Sequence, residues 1–383
     1  MYQIKFLKPL TLNQGSLLPK NPKKNQRNVA ASYEISSAIT ISNDLGEQFF
    51  YGRATLACQL RLYDSDEMKN VETKYTPIAI TTVEWTAGKR AMDVKLEIPS
   101  KYLQPGKYIA LNVSVDSTKQ AVDEMNVSDI THDELREEWF PEWKKIVGDC
   151  VESIDISSTN LQIFPTTSSL LKISNEVPVK SERFAIRSIS DVVLYEELSG
   201  EIARHLWDAG IIVNNLSKQQ FEKFLYRNET SPKGTNLQIL ELGTGIGLVA
   251  IHLSKMSRDS EFLATDLPDA KEICTMNIGL NEVQEQVKFS ELDWEDDVPA
   301  LKQWDIIITT DCTYNPLYYD ALIKVLKRES NKDTKIILAH KFREPITESE
   351  FFVKIQAHFH LERQMWYNAQ GQSLTHIGLY SLK

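Results

Sequence analysis

The stretch Leu237-Gln-Ile-Leu-Glu-Leu-Gly-Thr-Gly-Ile-Gly-Leu248 decides the fold. It reads as an apolar strand that runs into Gly243, Gly245 and Gly247 and then into a helix beginning near Leu248. Glycines at such spacing let the backbone turn tightly and approach a ligand closely. Working outward, helical patterns alternate from Glu196 onward with short apolar runs at Leu237 to Leu242, Glu261 to Thr265, Trp304 to Thr309 and Lys335 to Ala339. Helix alternating with buried strand predicts a parallel, doubly wound sheet. At the end of the chain, His358 to Tyr367 and Thr375 to Leu382 flank the turn-forming Asn368-Ala-Gln-Gly-Gln-Ser373, which predicts an antiparallel hairpin closing that sheet.

A nicotinamide-dinucleotide site would space its glycines as G-x-G-x-x-G, but here the third glycine arrives one position early and Leu248 stands where that pattern wants glycine. Glu241, two residues before the first glycine, puts a carboxylate where it would face a cationic amino group and not a phosphate. This combination resembles motif I of class I S-adenosylmethionine methyltransferases. About 20 residues on, Phe262-Leu-Ala-Thr-Asp266 ends a strand in a carboxylate that can accept from both ribose hydroxyls, or cap the helix that Pro268 opens. Glu291-Leu-Asp-Trp294 is another strand end: Asp293 can accept from an adenine amine and Trp294 can pack on the ring, unless that indole belongs to the core. Trp304-Asp-Ile-Ile-Ile-Thr-Thr-Asp-Cys-Thr-Tyr314 gives a further apolar strand, ending at Asp311 with Tyr314 three residues later. Polar groups at the carboxyl ends of parallel strands point into the ligand crevice.

In this order the motifs resemble the seven-strand protein-lysine methyltransferases grouped as methyltransferase family 16, whose D-x-x-Y motif is matched by Asp311-Cys-Thr-Tyr314 and whose fifth-strand ending resembles Ala339-His-Lys-Phe-Arg343. The resemblance covers roughly residues 185 to 383. It implies a Rossmann-like class I methyltransferase domain with a mostly parallel seven-stranded sheet, and S-adenosyl-L-methionine as cofactor. Glu241, Gly243, Gly245, Gly247, Asp266, Asp293 and Trp294 are the implied cofactor residues, and Asp311 and Tyr314 the catalytic ones, near the incoming amine. Many members carry a cofactor-touching tryptophan before the N-terminal helix; Val193-Leu-Tyr-Glu-Glu-Leu-Ser-Gly200 offers Tyr195 in its place. The expected acceptor is a lysine of an intracellular protein, with a protein histidine, a small-molecule amine or a non-catalytic scaffold as the alternatives.

The first half reads differently. Tyr2 to Leu7, Ser32 to Ile41, Ala54 to Tyr63, Ile78 to Trp85, Met92 to Ile98 and Lys107 to Val115 mix β-branched or aromatic residues with turn formers between, predicting an all-β sandwich of roughly seven or eight strands over residues 1–130. Residues 131–180 read as a connector: Leu135, Trp139, Trp143 and Ile146 recur at helical spacing, and a Ser/Thr-rich stretch with Pro165 and Pro178 follows as a linker. The methyltransferase-like domain then spans 181–383.

The chain has 383 residues, enough for two cores, and a net charge of -10 that repels polyphosphate and disfavours nucleic acid as a partner. The basic run Pro19 to Arg27 reads as a solvated loop. Cys58, Cys150, Cys274 and Cys312 are too scattered to hold zinc and suit a reducing compartment. The lysine-broken start, Met1 to Leu12, is unlike a signal peptide, and no apolar run reaches the length of a membrane span. A cytoplasmic protein that can also enter the nucleus is the expectation.

Overall fold

The computed structural model describes residues 1–14, 32–67, 71–119, 122–123, 153–158, 163–174, 178–226, 236–369 and 374–383. The helix expected over 131–147 and the basic run 19–27 lie outside them. The chain divides into two units. The first is Met1–Met125, Leu161–Ser188 and Tyr195–Gly200; the second is Asn126–Asn160, Ile189–Leu194 and Glu201–Lys383.

Alternation of apolar and polar residues builds the first unit. Ser32–Ser42 pairs antiparallel with Tyr2–Phe6 through its second half and with Thr11–Gln14 through its first, while Met92–Pro99 takes its other side. In the other sheet, Gly52–Tyr63 runs antiparallel to both Thr76–Trp85 and Tyr108–Val115. Ile35, Ile39 and Ile41 from the first sheet and Leu56, Cys58, Leu60, Ile109, Leu111 and Val113 from the second share one apolar core. Every second residue of each strand thus faces inward, the period a half-buried strand imposes. Trp85 is fully buried there, its indole N–H donating to Phe50 O at 2.9 Å. The six strands expected from sequence each form within two residues of their expected ends. Among the described residues the two sheets hold six and eight strands, more than expected, because short strands between Ile163 and Glu197 also pair into them.

The second unit is an α/β sheet. Its elements are β1 (Ser153–Ser158), α1 (Asp208–Asn214), α2 (Lys218–Tyr226), β2 (Gln238–Leu242), α3 (Leu248–Met256), β3 (Glu261–Asp266), α4 (Pro268–Leu280), β4 (Val287–Glu291), β5 (Ile306–Thr310), α5 (Tyr319–Glu329), β6 (Lys335–Lys341), α6 (Pro345–Ile355), β7 (Phe359–Ala369) and β8 (Leu374–Leu382). The spatial order is β4-β3-β2-β5-β6-β8-β7-β1. Strands β2 to β6 are parallel, β8 is antiparallel to β6, and β7 is antiparallel to β8. The hairpin therefore closes the sheet where the sequence places it.

Two expectations are corrected. Among the described residues the sheet has eight strands and not seven, since Ser153–Ser158 joins the far edge, parallel to β7. Consequently residues 131–180 are no simple connector: Ser153–Ser158 belongs to the second unit, and Ile163–Phe164, Thr166–Ser168, Leu171–Lys172 and Val179–Lys180 are strands of the first unit's sheets. The Ser/Thr-rich stretch is ordered because its backbone groups find partners in the neighbouring strands. Among the described residues, no helix is long and apolar enough to cross a membrane.

Candidate active site

The strand order reverses between β3-β2 and β5-β6, and the carboxyl ends of the strands at such a switch point form the natural ligand crevice. The loop from Gly243 to Gly247 leaves β2 there. Gly243 has φ 69°, and a Cβ built on it would stand 2.3 Å from Cys312 Sγ, so both the left-handed backbone and the space require glycine. Gly247, with φ 89°, precedes the first turn of α3.

Asp266, at the end of β3, ties this loop down: its Oδ2 accepts from Gly245 N at 2.7 Å and its Oδ1 from Leu267 N at 2.8 Å. Burial raises its pKa against the lowering effect of these two N–H groups. Glu241 is fully buried, and its Oε2 accepts from Thr244 Oγ1 at 2.6 Å and from Ala250 N at 3.1 Å. The carboxylate thus faces the first turn of α3, not the open crevice where the sequence reading puts a cationic amino group. Burial pushes Glu241 up to about 8, with those two hydrogen bonds pulling the other way.

The Leu292-Asp-Trp294 loop lies beside the glycines, the Trp294 ring standing 3.5 Å from the Cβ position of Gly243. Asp293 is exposed and caps its own loop, Oδ1 accepting from Glu295 N at 2.9 Å. Tyr195 belongs to the first unit, its ring 5.7 Å from that of Phe184 and its hydroxyl pushed up to about 12 by burial. The tryptophan that precedes the N-terminal helix is Trp207, immediately before α1. Its indole N–H donates to Ile202 O at 3.1 Å, and the Arg343 guanidinium stands 5.6 Å from its ring centroid. The signal for it was local: Trp207-Asp208-Ala209-Gly210 opens an apolar run, as a helix start does.

Beyond the end of β5, Tyr314 is 46% exposed and its hydroxyl pKa is raised by partial burial. Asp311 is buried, and its carboxylate takes three donors of the chain's own: Ala209 N at 2.8 Å, Lys341 N at 3.0 Å and Arg343 Nη1 at 3.0 Å. It is therefore not the open carboxylate that an acceptor-facing role implies. Lys341 Nζ reaches Asp208 Oδ2 at 2.6 Å, a second buried ion pair that sequence reading missed. The Cys312 thiol is held protonated by burial, as a packing residue is.

A model of the lysine methyltransferase family matches residues 188–358, so the C-terminal part of the chain is similar to that methyltransferase family, as its motifs imply. The UPF0665 family protein C23C4.06c of Schizosaccharomyces pombe is 24% identical over 318 residues, covering 81% of this chain and 84% of that protein. The protein-lysine N-methyltransferase rrg1 of the same yeast is 31% identical over 143 residues, 34% of this chain. The chain spans 47% of rrg1. Among solved structures, TYW2 of M. jannaschii in complex with AdoMet aligns with a TM-score of 0.36 at 14% identity, covering 61% of this chain and 98% of that one.

Proposed function

We propose that the second unit binds S-adenosylmethionine and transfers its methyl group to a lysine side chain of an intracellular protein. The observation that carries this reading is the placing of Asp266 against the glycine loop at the strand-order switch, within the part of the chain that matches the lysine methyltransferase family.

The donor set fits the cofactor. Asp266 keeps acceptor capacity beyond its two backbone partners and is only partly buried, so its carboxylate can take the ribose hydroxyls. Gly243 lets the loop pass close against Cys312 and Trp294, and the Trp294 ring beside the loop offers an apolar face for the adenine. When bound, the cofactor would supply an electrophilic methyl group on a sulfonium, with the thioether as leaving group, for transfer to a neutral amine. The chain's contribution is position: Tyr314, half-exposed on the acceptor side, lines the approach, and holding the two partners in line supplies most of the acceleration. The amine's surplus proton leaves to water, since the Cys312 thiol stays protonated and Asp311 is taken up by its own donors.

Calorimetry with S-adenosylmethionine tests the cofactor half, and Asp266→Ala should weaken binding by about 2 to 3 kcal/mol, the worth of charge-assisted hydrogen bonds. Transfer of radiolabelled methyl groups into whole lysate, followed by mass spectrometry of the labelled species, tests the acceptor. Label in histidine or in a small amine would replace lysine as acceptor, and a protein that binds no cofactor would end the reading.

A further inference from the structure

Asp311 sits in a conformation that needs a reason. Its φ of 55° lies in the left-handed region that non-glycine residues rarely occupy, and its side chain is 2% exposed. What holds it there is a set of donors from separate elements. Ala209 N belongs to the first turn of α1, Lys341 N to the last residue of β6, and Arg343 Nη1 to the segment beyond it. Alongside, Asp208 of α1 pairs with the Lys341 ammonium at 2.6 Å. Two ion pairs thus fasten the start of α1 to the end of β6, one of them through Asp311.

The contacts continue toward the glycine loop. Arg343 stands over the Trp207 ring, Trp207 donates to Ile202 O, and Ala203 O lies 3.3 Å from the Cβ position of Gly245. The segment Ile202–Trp207 is therefore one wall of the crevice over the glycines. Its position depends on where the first turn of α1 is held.

The charges argue the same way. With the Arg343 guanidinium 3.0 Å from its carboxylate, Asp311 is half of a neutral pair and exerts little attraction on a distant ammonium group. An arriving amine would also have to compete with three donors already in place.

We propose that Asp311 is a positioning residue: its carboxylate clasps the first turn of α1 to the end of β6 and so holds the Ile202–Trp207 wall against the glycine loop. It shapes the cofactor crevice and does not orient the acceptor. The inference rests on the cofactor reading above for its kinetic consequence, but not for its structural one.

The test is Asp311→Asn, which keeps the shape but turns an NH2 group toward donors. Amide hydrogen exchange at Ala209 and Lys341 should quicken at least tenfold relative to the unaltered protein. The calorimetric Kd for S-adenosylmethionine should rise about tenfold, while turnover at saturating cofactor stays within about threefold and its pH profile is unchanged. The opposite split, with cofactor affinity within threefold and turnover down a hundredfold or more, overturns the proposal in favour of an acceptor-orienting carboxylate. Unchanged exchange at both amides also overturns it. If Asp311→Asn does not fold, Arg343→Lys serves, because a lysine cannot reproduce the guanidinium fork and should give the same pattern at smaller amplitude. Should the unaltered protein bind no S-adenosylmethionine, the methyl-transfer reading fails, while the exchange rates at Ala209 and Lys341 still decide for or against the clasp.

Discussion

Gly243→Ala is the sharpest single test of the crevice geometry, because its cost separates into two parts. The first is backbone: φ 69° is left-handed, and an L side chain there costs roughly 1–2 kcal/mol. The second is space: the new methyl would meet Cys312 Sγ at 2.3 Å, more than an ångström inside ordinary contact, and overpacking of that kind costs about 1–3 kcal/mol. The single variant should therefore lose about 2–5 kcal/mol. Cys312→Ala removes the sulfur, and the next Cys312 atom, Cβ, lies at a comfortable 3.8 Å. In the double variant the steric part should vanish and the backbone part remain, so a double-mutant cycle by urea denaturation should show a favourable coupling of about 1–3 kcal/mol. A coupling under about 0.5 kcal/mol, the level at which independent sites simply add, would mean that the loop does not approach Cys312 as described.

Two further predictions concern pH. His376 is fully buried, its ring 4.7 Å from that of Trp366 and 5.4 Å from that of Phe352, and burial holds its pKa down to about 3. A base depressed in the folded state leaves the unfolded chain binding more protons between pH 6.5 and 3, so stability falls as pH drops through that window, by at most about 1.4 kcal/mol per pH unit; His376→Gln should flatten the urea midpoints measured from pH 7 to 4, and an equally steep profile would remove the assignment. Glu241 works in the other direction. Raised to about 8, it keeps a proton in the folded state that the unfolded chain gives up above pH 4.5, so it lowers stability as pH rises from 4.5 to 8. Glu241→Gln should lose that slope, and a variant whose stability still falls across pH 5 to 8 as the parent's does would show that the carboxyl is ionised there.

What the sequence disclosed followed from how local each signal is. The runs that became β2, β3, β5 and β6 are legible because parallel strands are covered on both faces and leave no polar alternation to confuse them. The glycine loop is legible because backbone conformation is written into glycine itself. The pairing of Asp208 is not legible because its partner, Lys341, lies far along the chain and meets it only in the folded sheet, whereas Trp207 carries a local helix-start signal. Asp311 was found in the right place with a different set of partners, since a motif gives spacing but not which donors fill a carboxylate. Ser153–Ser158 reads as linker because an edge strand borrows its order from its neighbour, and that neighbour is β7. Tyr195 stands close to Trp207 in sequence but belongs to the first unit, where its ring meets that of Phe184.

The pairing of Ser153–Ser158 with Phe359–Ala369 also sets a timetable for biosynthesis. Ile163–Phe164 and Thr166–Ser168 find their partners, Tyr2–Phe6 and Tyr108–Val115, already made, and can settle as they emerge. Ser153–Ser158 cannot: at 5–20 residues per second, its partner leaves the ribosome roughly 10 to 40 s later. Through that interval a strand without its neighbour is open to wrong pairing, so the nascent chain is most vulnerable to aggregation, and most in need of a chaperone, before its last hairpin is synthesised.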